Sequence, residues 1–308
     1  MNDLFELIKI LKSDLGKKEK LRIGLLFALP HHLVSRLVYL ITRLRGPFVQ
    51  PMIRWFIRKF DVDMSDATYE NINAYKTFNE FFTRDLKSGA RPVVAGKNML
   101  ASPADGIVSE AGKIEQGHIF QAKGHQYTTI ELLGGDQTMA GFFNNGRFAT
   151  IYLAPNNYHR LHMPLDAQLK KMIHVPGRLF SVAPWTVRSI PRIFARNERV
   201  ICLFATGAGP LAMVMIGAIN VAAIETVWSG LVTPPKGKKV TDHDYSHTTK
   251  RYSKGEEMGR FNMGSTVILL TAGNVEWLSK VRAHQSVKMG ELIGHFPTPK
   301  KPVQSTNS

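Results

Sequence analysis

Cysteine is almost missing from this chain of 308 residues, which contains only Cys202. One cysteine cannot form an internal disulfide, and it excludes the cysteine-rich patterns of zinc and iron–sulfur sites. Cys202 lies in the apolar run RVICLFA, so we expect a buried, unreactive thiol. Both points fit a protein of a reducing cytoplasm.

Long hydrophobic runs are lacking as well. The uncharged stretch IGLLFALPHHLVS at residues 23–35 is shorter than the roughly twenty apolar residues of a membrane-spanning helix, and Pro30 interrupts it. No small-residue cleavage site follows it, so a signal peptide is not indicated. The glycine cluster TGAGP at residues 206–210 lacks the spacing and the downstream helix of a dinucleotide-binding loop.

Acidic residues are scarce in the first fifth of the chain. Residues 1–60 contain twelve Lys/Arg and four Asp/Glu, which is half of the net charge of +16. Two successive segments have the spacing of amphipathic helices. In the first, the apolar face would consist of Leu33, Leu37, Leu40 and Leu44. In the second, it would consist of Ile53, Phe56, Ile57 and Phe60, with Arg54 and Arg58 on a neighbouring face. Such helices bind anionic lipid surfaces. We therefore predict a peripheral membrane protein without a nucleic-acid partner; the alternative is a helical hairpin packed on its own core.

Strand signals dominate the rest of the chain. From Ala101 to Phe296, turn residues separate the short apolar runs GIVSE, FATIYLAP, RVICLFA, LAMVMIGAINVAAIETVW and STVILL, and no long amphipathic helix alternates with them. Upstream, YKTFNEFFTRDL at residues 75–86 predicts a helix that buries Phe78, Phe81 and Phe82. The pattern predicts an α+β fold, in which basic amphipathic N-terminal helices precede a β-rich core resembling a barrel or a sandwich.

The same texture divides the chain into three regions. Residues 1–74 are predicted to be a helical, membrane-associating region, and residues 75–296 a catalytic core. Residues 297–308, PTPKKPVQSTNS, are polar and rich in Pro and Ser, so we expect a disordered tail.

Four side chains are candidates for chemistry. Asp105 lies in SPADG, His159 and His162 lie in YHRLHMP, and Ser265 follows Gly264 at the start of a strand. Each has an ordinary alternative, because Asp before Gly is a turn former and no GxSxG motif surrounds Ser265. An Asp, a His and a Ser are nevertheless the parts of an activated hydroxyl nucleophile. The sequence alone does not show that they converge.

A metal site is not predicted. The two histidines form no HExxH pattern, and the segment TDHDYSH at residues 241–247 reads as a solvated loop. The segment FARNERV at residues 194–200 places three charged residues before a buried strand. These residues could form a structural ion pair or bind an anion, and the sequence does not decide between the two roles.

Seven blocks of this sequence resemble, in order, those of bacterial phosphatidylserine decarboxylases. They run from Tyr75 to Phe296 and are YKTFNEFFTRDLKSGARP, SPADG, QAKGHQY, YHRLHMP, FARNERVICLF, IETVWSGLVTPP and GEEMGRFNMGSTVILL. Met263 stands where many bacterial members have Leu, a residue of similar volume, so we expect processing to survive.

The resemblance implies an inactive proenzyme that cuts itself between Gly264 and Ser265, giving a β chain of residues 1–264 and an α chain of residues 265–308. The resemblance assigns a charge relay to Asp105, His162 and Ser265. It also implies that the cut converts Ser265 into a covalent pyruvoyl group. Neither a metal nor pyridoxal phosphate is implied.

The resemblance also implies the reaction, that of a carboxy-lyase. The amine of phosphatidylserine forms a Schiff base with the pyruvoyl group, carbon dioxide leaves, and phosphatidylethanolamine is released. His159 is implied as the proton donor. The implied location is the cytoplasmic face of the cell membrane, on anionic lipid, with the α and β chains associated and the processed units paired as homodimers.

Two other readings stay open. The first is a pyruvoyl enzyme for a soluble amino acid, which the apolar N-terminal region disfavours. The second is a non-catalytic membrane-binding β protein in which Ser265 is a turn residue, and it predicts an uncut chain.

Overall fold

The computed structural model of the protein describes residues 2–12, 16–219, 223–234 and 239–297. It contains 24% helix and 33% strand, with helices at the N-terminus followed by a sheet-rich core, so the predicted α+β class is confirmed. Residues 298–308, nearly all of the predicted tail, lie outside the described residues. The three-region division of the chain stays a prediction.

Within the described part of the first sixty residues lie four helices: α1 (Asn2–Lys12), α2 (Lys17–Ala28), α3 (His31–Ile41) and α4 (Val49–Phe60). Over the described ranges, no single helix is long and apolar enough to cross a membrane. Helices α2 and α3 together have the length and apolar composition of a membrane-spanning segment, but the pair is bent by 78° at the break before His31.

The later helices are short: a 3-10 turn (Ile72–Ala74), α5 (Phe78–Phe82), α6 (Thr129–Leu132), α7 (Gln137–Gly141), α8 (Pro184–Ser189) and α9 (Ile193–Arg196). The side chain of Thr77 caps α5 by accepting a hydrogen bond from the Glu80 backbone N–H. Phe78, Phe81 and Phe82 are buried, as predicted.

The two predicted apolar faces of the N-terminal region have different fates. On α3 and just after it, Leu33, Leu37, Leu40 and Leu44 are exposed. On α4, however, Ile53 and Phe56 are buried against the aromatic residues of α5, in a cluster with Val49, Tyr75 and Phe81. This part of the α4 face therefore packs on α5, whereas Ile57 and Phe60 are half-buried, and membrane contact of the region stays a prediction.

The strands begin after residue 98: β1 (Met99–Ala101), β2 (Gly106–Lys113), β3 (His118–Ala122), β4 (His125–Thr128), β5 (Arg147–Leu153), β6 (Arg160–His162), β7 (Ala167–Val175), β8 (Arg199–Thr206), β9 (Gly209–Ile216), β10 (Ile224–Thr226), β11 (Gly230–Thr233), β12 (Thr241–Asp244), β13 (Arg251–Tyr252), β14 (Glu257–Phe261), β15 (Ser265–Thr271), β16 (Glu276–Trp277), β17 (Ser286–Val287) and β18 (Leu292–His295). The runs GIVSE, RVICLFA and STVILL lie within β2, β8 and β15, and FATIYLAP forms most of β5. The run LAMVMIGAINVAAIETVW contributes to β9 and β10, and its residues 220–222 lie outside the described residues.

The main sheet has the order β12-β7-β8-β9-β15-β5-β2-β17, and β13 also pairs with β7. Three smaller sheets have the orders β1-β18-β16, β11-β10-β14-β6 and β3-β4. Across the part of the chain that the structure describes, no sheet closes into a barrel. Strand β15 lies between β9 and β5, and all seven of its residues are buried.

Two buried polar features support the core. Cys202 is fully buried in β8, as predicted, and burial raises the pKa of its thiol. In the FARNERV segment, Glu198 lies 3.0 Å from Nε2 of the buried His174, while the Arg199 guanidinium donates to the backbone carbonyl oxygens of Glu131 and Leu132. For this segment the structural reading is therefore the correct one.

Candidate active site

The Gly264–Ser265 peptide bond lies where the loop after β14 joins β15. Ser265 is the first residue of β15, and it pairs with Leu153 of β5. A Cβ atom built on Gly264 would lie 3.5 Å from the Leu153 carbonyl oxygen and 3.8 Å from Cε1 of His159. The predicted cleavage bond therefore lies between the main sheet and the His159 ring.

The hydroxyl of Ser265 is buried and unpaired. The residue is 0% exposed, and among the described residues its Oγ has no hydrogen-bond partner. An unpaired buried hydroxyl costs about 1–3 kcal/mol, and such groups are rare in native proteins. Because no acceptor holds its proton, the hydroxyl is available to a base.

Backbone strain lies directly before the bond. Met263 has a φ of +125°, a region that non-glycine residues adopt at a cost of about 1–3 kcal/mol. Asn262 holds the loop in place, since its backbone N–H donates to the Ala223 carbonyl at 2.8 Å and its Nδ2 donates to Glu225 Oε1 at 2.9 Å. Cutting the chain after Gly264 would release this strain.

His159 is held in an apolar environment. Its ring stacks on Phe82 of α5, with centroids 4.0 Å apart and planes 22° from parallel. Burial, followed by the positive charge of Arg84, lowers the pKa of His159 to about 3; the backbone near Ala154 and Pro155 offsets part of that shift. Within the described chain neither ring nitrogen has a hydrogen-bond partner of ordinary geometry. The imidazole is therefore neutral at pH 7, and its nitrogens lie near the backbone of Ala154 and Pro155 without a hydrogen bond of ordinary geometry.

His162 is held in one tautomer. Its Nδ1 donates to the Gly255 carbonyl oxygen at 2.8 Å, so in the neutral ring Nε2 accepts from the Tyr158 hydroxyl at 3.0 Å. Its backbone N–H donates to the Pro103 carbonyl in the SPADG segment at 2.8 Å. Burial lowers the pKa of His162; the hydrogen bond with Gly255 and the charge of Glu257 oppose this shift, and the charge of Asp105 does so to a smaller extent. A free electron pair on Nε2 is what a general base requires.

Asp105 is buried and bound by Arg91. The guanidinium donates from Nε at 2.9 Å and from Nη2 at 2.6 Å, and the Met289 backbone N–H donates at 2.8 Å. Arg91 also binds Asp66 at 2.7 Å, and the hydrogen bond that Arg91 donates to Asp105 contributes most to raising the pKa of Arg91. The carboxylate is therefore held firmly in place.

The structure brings the predicted residues together only in part. His159 lies beside Gly264, and His162 lies beside the SPADG backbone. Among the hydrogen bonds of the described residues, none joins Asp105 to His162 or His162 to Ser265 directly. Asp105 acts on His162 through its electric field.

Sequence reasoning missed three residues of this site. Arg91 binds Asp105, Tyr158 binds His162, and Arg84 shifts the pKa of His159. Each lies within a block quoted for the family resemblance, in GARP, YHRLHMP and FFTRDL, but nothing in their spacing indicated these contacts.

A cavity of about 110 Å³ lies over Gly264. Phe56 and Phe60 of α4, Phe82 of α5, Tyr152 and Met263 contribute to its wall. Helix α4 of the N-terminal region thus forms part of the wall over the predicted cleavage bond. A larger surface cleft of about 980 Å³, lined from Glu110 to Phe148, includes none of the four predicted site residues in its described lining.

Metal ligands do not cluster in the described part of the chain, where no group of three or more His, Cys, Asp or Glu residues is arranged to hold an ion.

Comparison with known proteins places the chain in a family. The family model described as phosphatidylserine decarboxylase matches residues 78–295, and a second, described as PSD, matches residues 21–61. This chain belongs to the phosphatidylserine decarboxylase family. The resemblance read from the seven sequence blocks is thereby confirmed, and decarboxylation of phosphatidylserine is the function that membership supports.

Curated relatives of the phosphatidylserine decarboxylase family match most of the chain. The phosphatidylserine decarboxylase proenzyme of Alkalilimnicola ehrlichii is 55% identical over 254 residues, 82% of this chain and 88% of the relative. The proenzyme of Stutzerimonas stutzeri is 50% identical over 90% of this chain and 95% of its own length, and that of Idiomarina loihiensis is 49% identical over 92% and 98%.

Proposed function

We propose that the chain is a self-processing, pyruvoyl-dependent carboxy-lyase that converts phosphatidylserine into phosphatidylethanolamine and carbon dioxide. The observation that carries the proposal is the buried, unpaired Ser265 hydroxyl directly after the strained Met263–Gly264 backbone. A turn residue at a strand start has no need of such an environment, whereas a nucleophile does.

Self-cleavage would begin at Ser265. Its Oγ attacks the Gly264 carbonyl carbon, a base takes the hydroxyl proton, and the peptide nitrogen leaves protonated, so the amide becomes an ester. β-Elimination then releases the Gly264 carboxylate and leaves dehydroalanine at position 265. This enamine tautomerises to an imine, and hydrolysis of the imine by water releases ammonia and leaves the pyruvoyl group at the new N-terminus.

We assign the base of this cut to His162, with the charge of Asp105 supporting it. The tautomer of His162 leaves Nε2 unprotonated, and Asp105 raises the affinity of the ring for a proton. To reach Ser265, the ring has to exchange its hydrogen bond with Tyr158 for one with the hydroxyl. The resemblance supplies this assignment, and the tautomer and field support it.

The surroundings of Ser265 fit a pyruvoyl group, because the site offers a neighbouring cavity and an unpaired histidine. Such a group supplies a carbonyl that accepts the electrons left when carbon dioxide departs. His159 is assigned to deliver the proton that replaces the carboxyl group; because its pKa is about 3 in the uncut chain, the ring has to take up that proton after cleavage, with substrate bound. Its stacking on Phe82 fixes the ring beside Gly264, and the apolar wall excludes water from the reacting carbon.

The substrate and location are proposed to be phosphatidylserine in the anionic cytoplasmic face of the cell membrane, with the protein bound peripherally. The exposed leucines of α3 and the unburied cations of α4 support this proposal. Helix α4 would then link the membrane to the site, because Arg54 and Arg58 are exposed while Phe56 and Phe60 line the cavity over Gly264. The processed units are proposed to form homodimers.

An intact-mass spectrum of the purified wild-type chain tests the proposal. We expect two species, residues 1–264 and residues 265–308, the second lighter by one ammonia than a serine-started peptide. The Ser265→Ala chain serves as the matched control and should give one uncut mass. A single uncut mass for a folded wild-type chain would refute self-cleavage and, with it, the pyruvoyl mechanism.

A further inference from the structure

A second cavity, of about 180 Å³, lies on the same face of the main sheet as the cavity over Gly264. Thr266 of β15, Tyr152 of β5 and Ile107 of β2 are direct neighbours across the strands, so their side chains share that face. Tyr152 and Val182 line both cavities, which therefore adjoin at these two side chains.

The floor of this second cavity contains an unsatisfied hydroxyl. Thr266 is 0% exposed, and throughout the described residues its Oγ1 finds no hydrogen-bond partner. Leaving a buried hydroxyl unpaired is unfavourable. An oxygen of a ligand in the cavity would satisfy it.

The mouth of the cavity is cationic. Lys123, in the β3–β4 turn, and Arg188, on α8, are exposed lining residues, and among the ion pairs of the described chain neither has a carboxylate partner. Glu110 is the acidic residue of the lining, and burial raises the pKa of its carboxyl, while His284 opposes the shift. In contrast, the described lining of the cavity over Gly264 contains no charged side chain.

We infer that the second cavity, which Thr266 lines, binds the phosphate diester of the lipid headgroup. This inference rests on the proposed function. Thr266 Oγ1 would donate to a phosphate oxygen, and Lys123 and Arg188 would supply the opposite charge. The side chains of Ser265 and Thr266 point to opposite faces of β15, so the route between them does not run along the strand. The substrate amine has to lie at the backbone of position 265, beside Gly264, and the headgroup can extend from the cavity over Gly264 into the adjoining one, because its amine and phosphorus are only a few bonds apart.

The first test measures kinetics in neutral detergent micelles, where the charge of the lipid surface does not contribute. Lys123→Gln and Arg188→Gln should be cleaved normally, and each should raise the KM for phosphatidylserine about tenfold while kcat stays within about threefold. Arg251→Gln removes an exposed cation outside the cavity lining and should change neither constant. An unchanged KM in both cavity variants would overturn the inference.

The second test separates the phosphate from the carboxylate of the headgroup. Glycerophosphoserine carries both groups, whereas glycerophosphoethanolamine carries the phosphate alone. If the cavity holds the phosphate, Arg188→Gln should weaken competition by both compounds about equally. Weaker competition by glycerophosphoserine alone would assign the cavity to the carboxylate and overturn the phosphate assignment.

A binding measurement keeps this inference distinct from the proposed function. Calorimetric titration of glycerophosphoethanolamine into the uncut Ser265→Ala chain needs no processing and no turnover. We expect binding that Arg188→Gln weakens about tenfold; absence of binding to the Ser265→Ala chain would count against the site. Failure of wild-type cleavage, read by mass, would instead refute the proposed function.

Discussion

Two histidines three positions apart in YHRLHMP have different surroundings. Both ring nitrogens of His162 form hydrogen bonds, one with the Gly255 carbonyl and one with the Tyr158 hydroxyl. The ring of His159 instead stacks on Phe82, and in the described chain neither of its nitrogens has a hydrogen-bond partner of ordinary geometry. A ring fixed in one tautomer suits a base that acts once on a defined hydroxyl. The unpaired ring of His159 is free to contact substrate, but to deliver a proton in each turnover it must first take one up, because its pKa of about 3 leaves it neutral at pH 7.

Substitution of each histidine should therefore stop a different step. His162→Ala should leave the chain uncut. His159→Ala should be cut, as judged by mass, yet lose about 10²–10⁴-fold in kcat, the usual contribution of a general acid. Gel electrophoresis and release of labelled carbon dioxide from phosphatidylserine give the two readouts. An uncut His159→Ala chain together with a cut His162→Ala chain would reverse the assignment.

The pKa of His159 also predicts how stability depends on pH. Because that pKa falls from 6.5 to about 3 on folding, the unfolded chain binds the additional proton between these pH values. The free energy of unfolding of the Ser265→Ala chain should therefore fall as the pH drops below about 6.5, by up to about 1.4 kcal/mol per pH unit for this residue. The lowered pKa of His162 changes the free energy of unfolding in the same direction.

Urea unfolding at pH 7, 6 and 5 measures this dependence. Adding His159→Leu to the uncut chain should make the slope shallower, because one titrating group is removed. Cys202→Ala is the control for a buried substitution that does not titrate in this range, and it should lower stability equally at each pH. Equal slopes with and without His159 would contradict the assigned pKa.

At the scale of single residues, the sequence predicted the residue types of the site better than it predicted the contacts between them. The segments SPADG, YHRLHMP and GST predicted Asp105, both histidines and Ser265, and family membership supports these blocks. The Arg91–Asp105 pair joins residues fourteen positions apart through a loop whose path no periodicity specifies. Such contacts depend on tertiary packing, which local patterns do not encode.

At the scale of elements, α3 presents an apolar face to solvent. The exposed residues Leu33, Leu37 and Leu40 repeat at helical spacing, and Arg36 lies between them in sequence. An exposed apolar stripe of this kind is typical of an interfacial helix.

Replacing these three leucines by glutamine should weaken binding to vesicles that contain phosphatidylserine by at least about tenfold, since each leucine loses its apolar contact with lipid. Co-sedimentation measures this, and the thermal midpoint should change little because the side chains are exposed. Ile130→Gln, at an exposed apolar position on α6, is the matched control and should bind normally. Undiminished binding of the triple variant would remove α3 from the membrane contact.

The sequence predicted individual elements well but not their order in space. STVILL predicted β15 and FATIYLAP predicted β5, because apolar runs of strand length between turn residues indicate buried strands. Their pairing, and the place of β9 on the other side of β15, join segments far apart in sequence. For α4, the periodicity identified the apolar face correctly, but only the position of α5 decides what covers it.

For the whole molecule, the position of β15 determines what cleavage does to the assembly. Seven residue pairs join β15 to β5 and six join it to β9. A cut before Ser265 places β15 in the short chain and both of its neighbours in the long chain. The two chains should therefore stay together without a covalent link.

Refolding gives the test. The processed enzyme should elute as one species in size-exclusion chromatography, yet after denaturation in urea its refolding yield should depend on protein concentration, because two chains must meet. The uncut Ser265→Ala chain should refold independently of concentration. Dissociation of the processed chains in native buffer would contradict the sheet arrangement.

The cavity over Gly264 has a consequence for the size of the working site. Cleavage would leave a carboxylate on Gly264 among Phe56, Phe60 and Phe82, and an apolar wall cannot solvate such a charge. The freed end of the long chain should therefore turn outward to water, which faster amide exchange at Asn262 and Met263 would register. If the chain is cut as proposed, the 110 Å³ of the uncut chain is a minimum, and the departing end would make room for a lipid substrate.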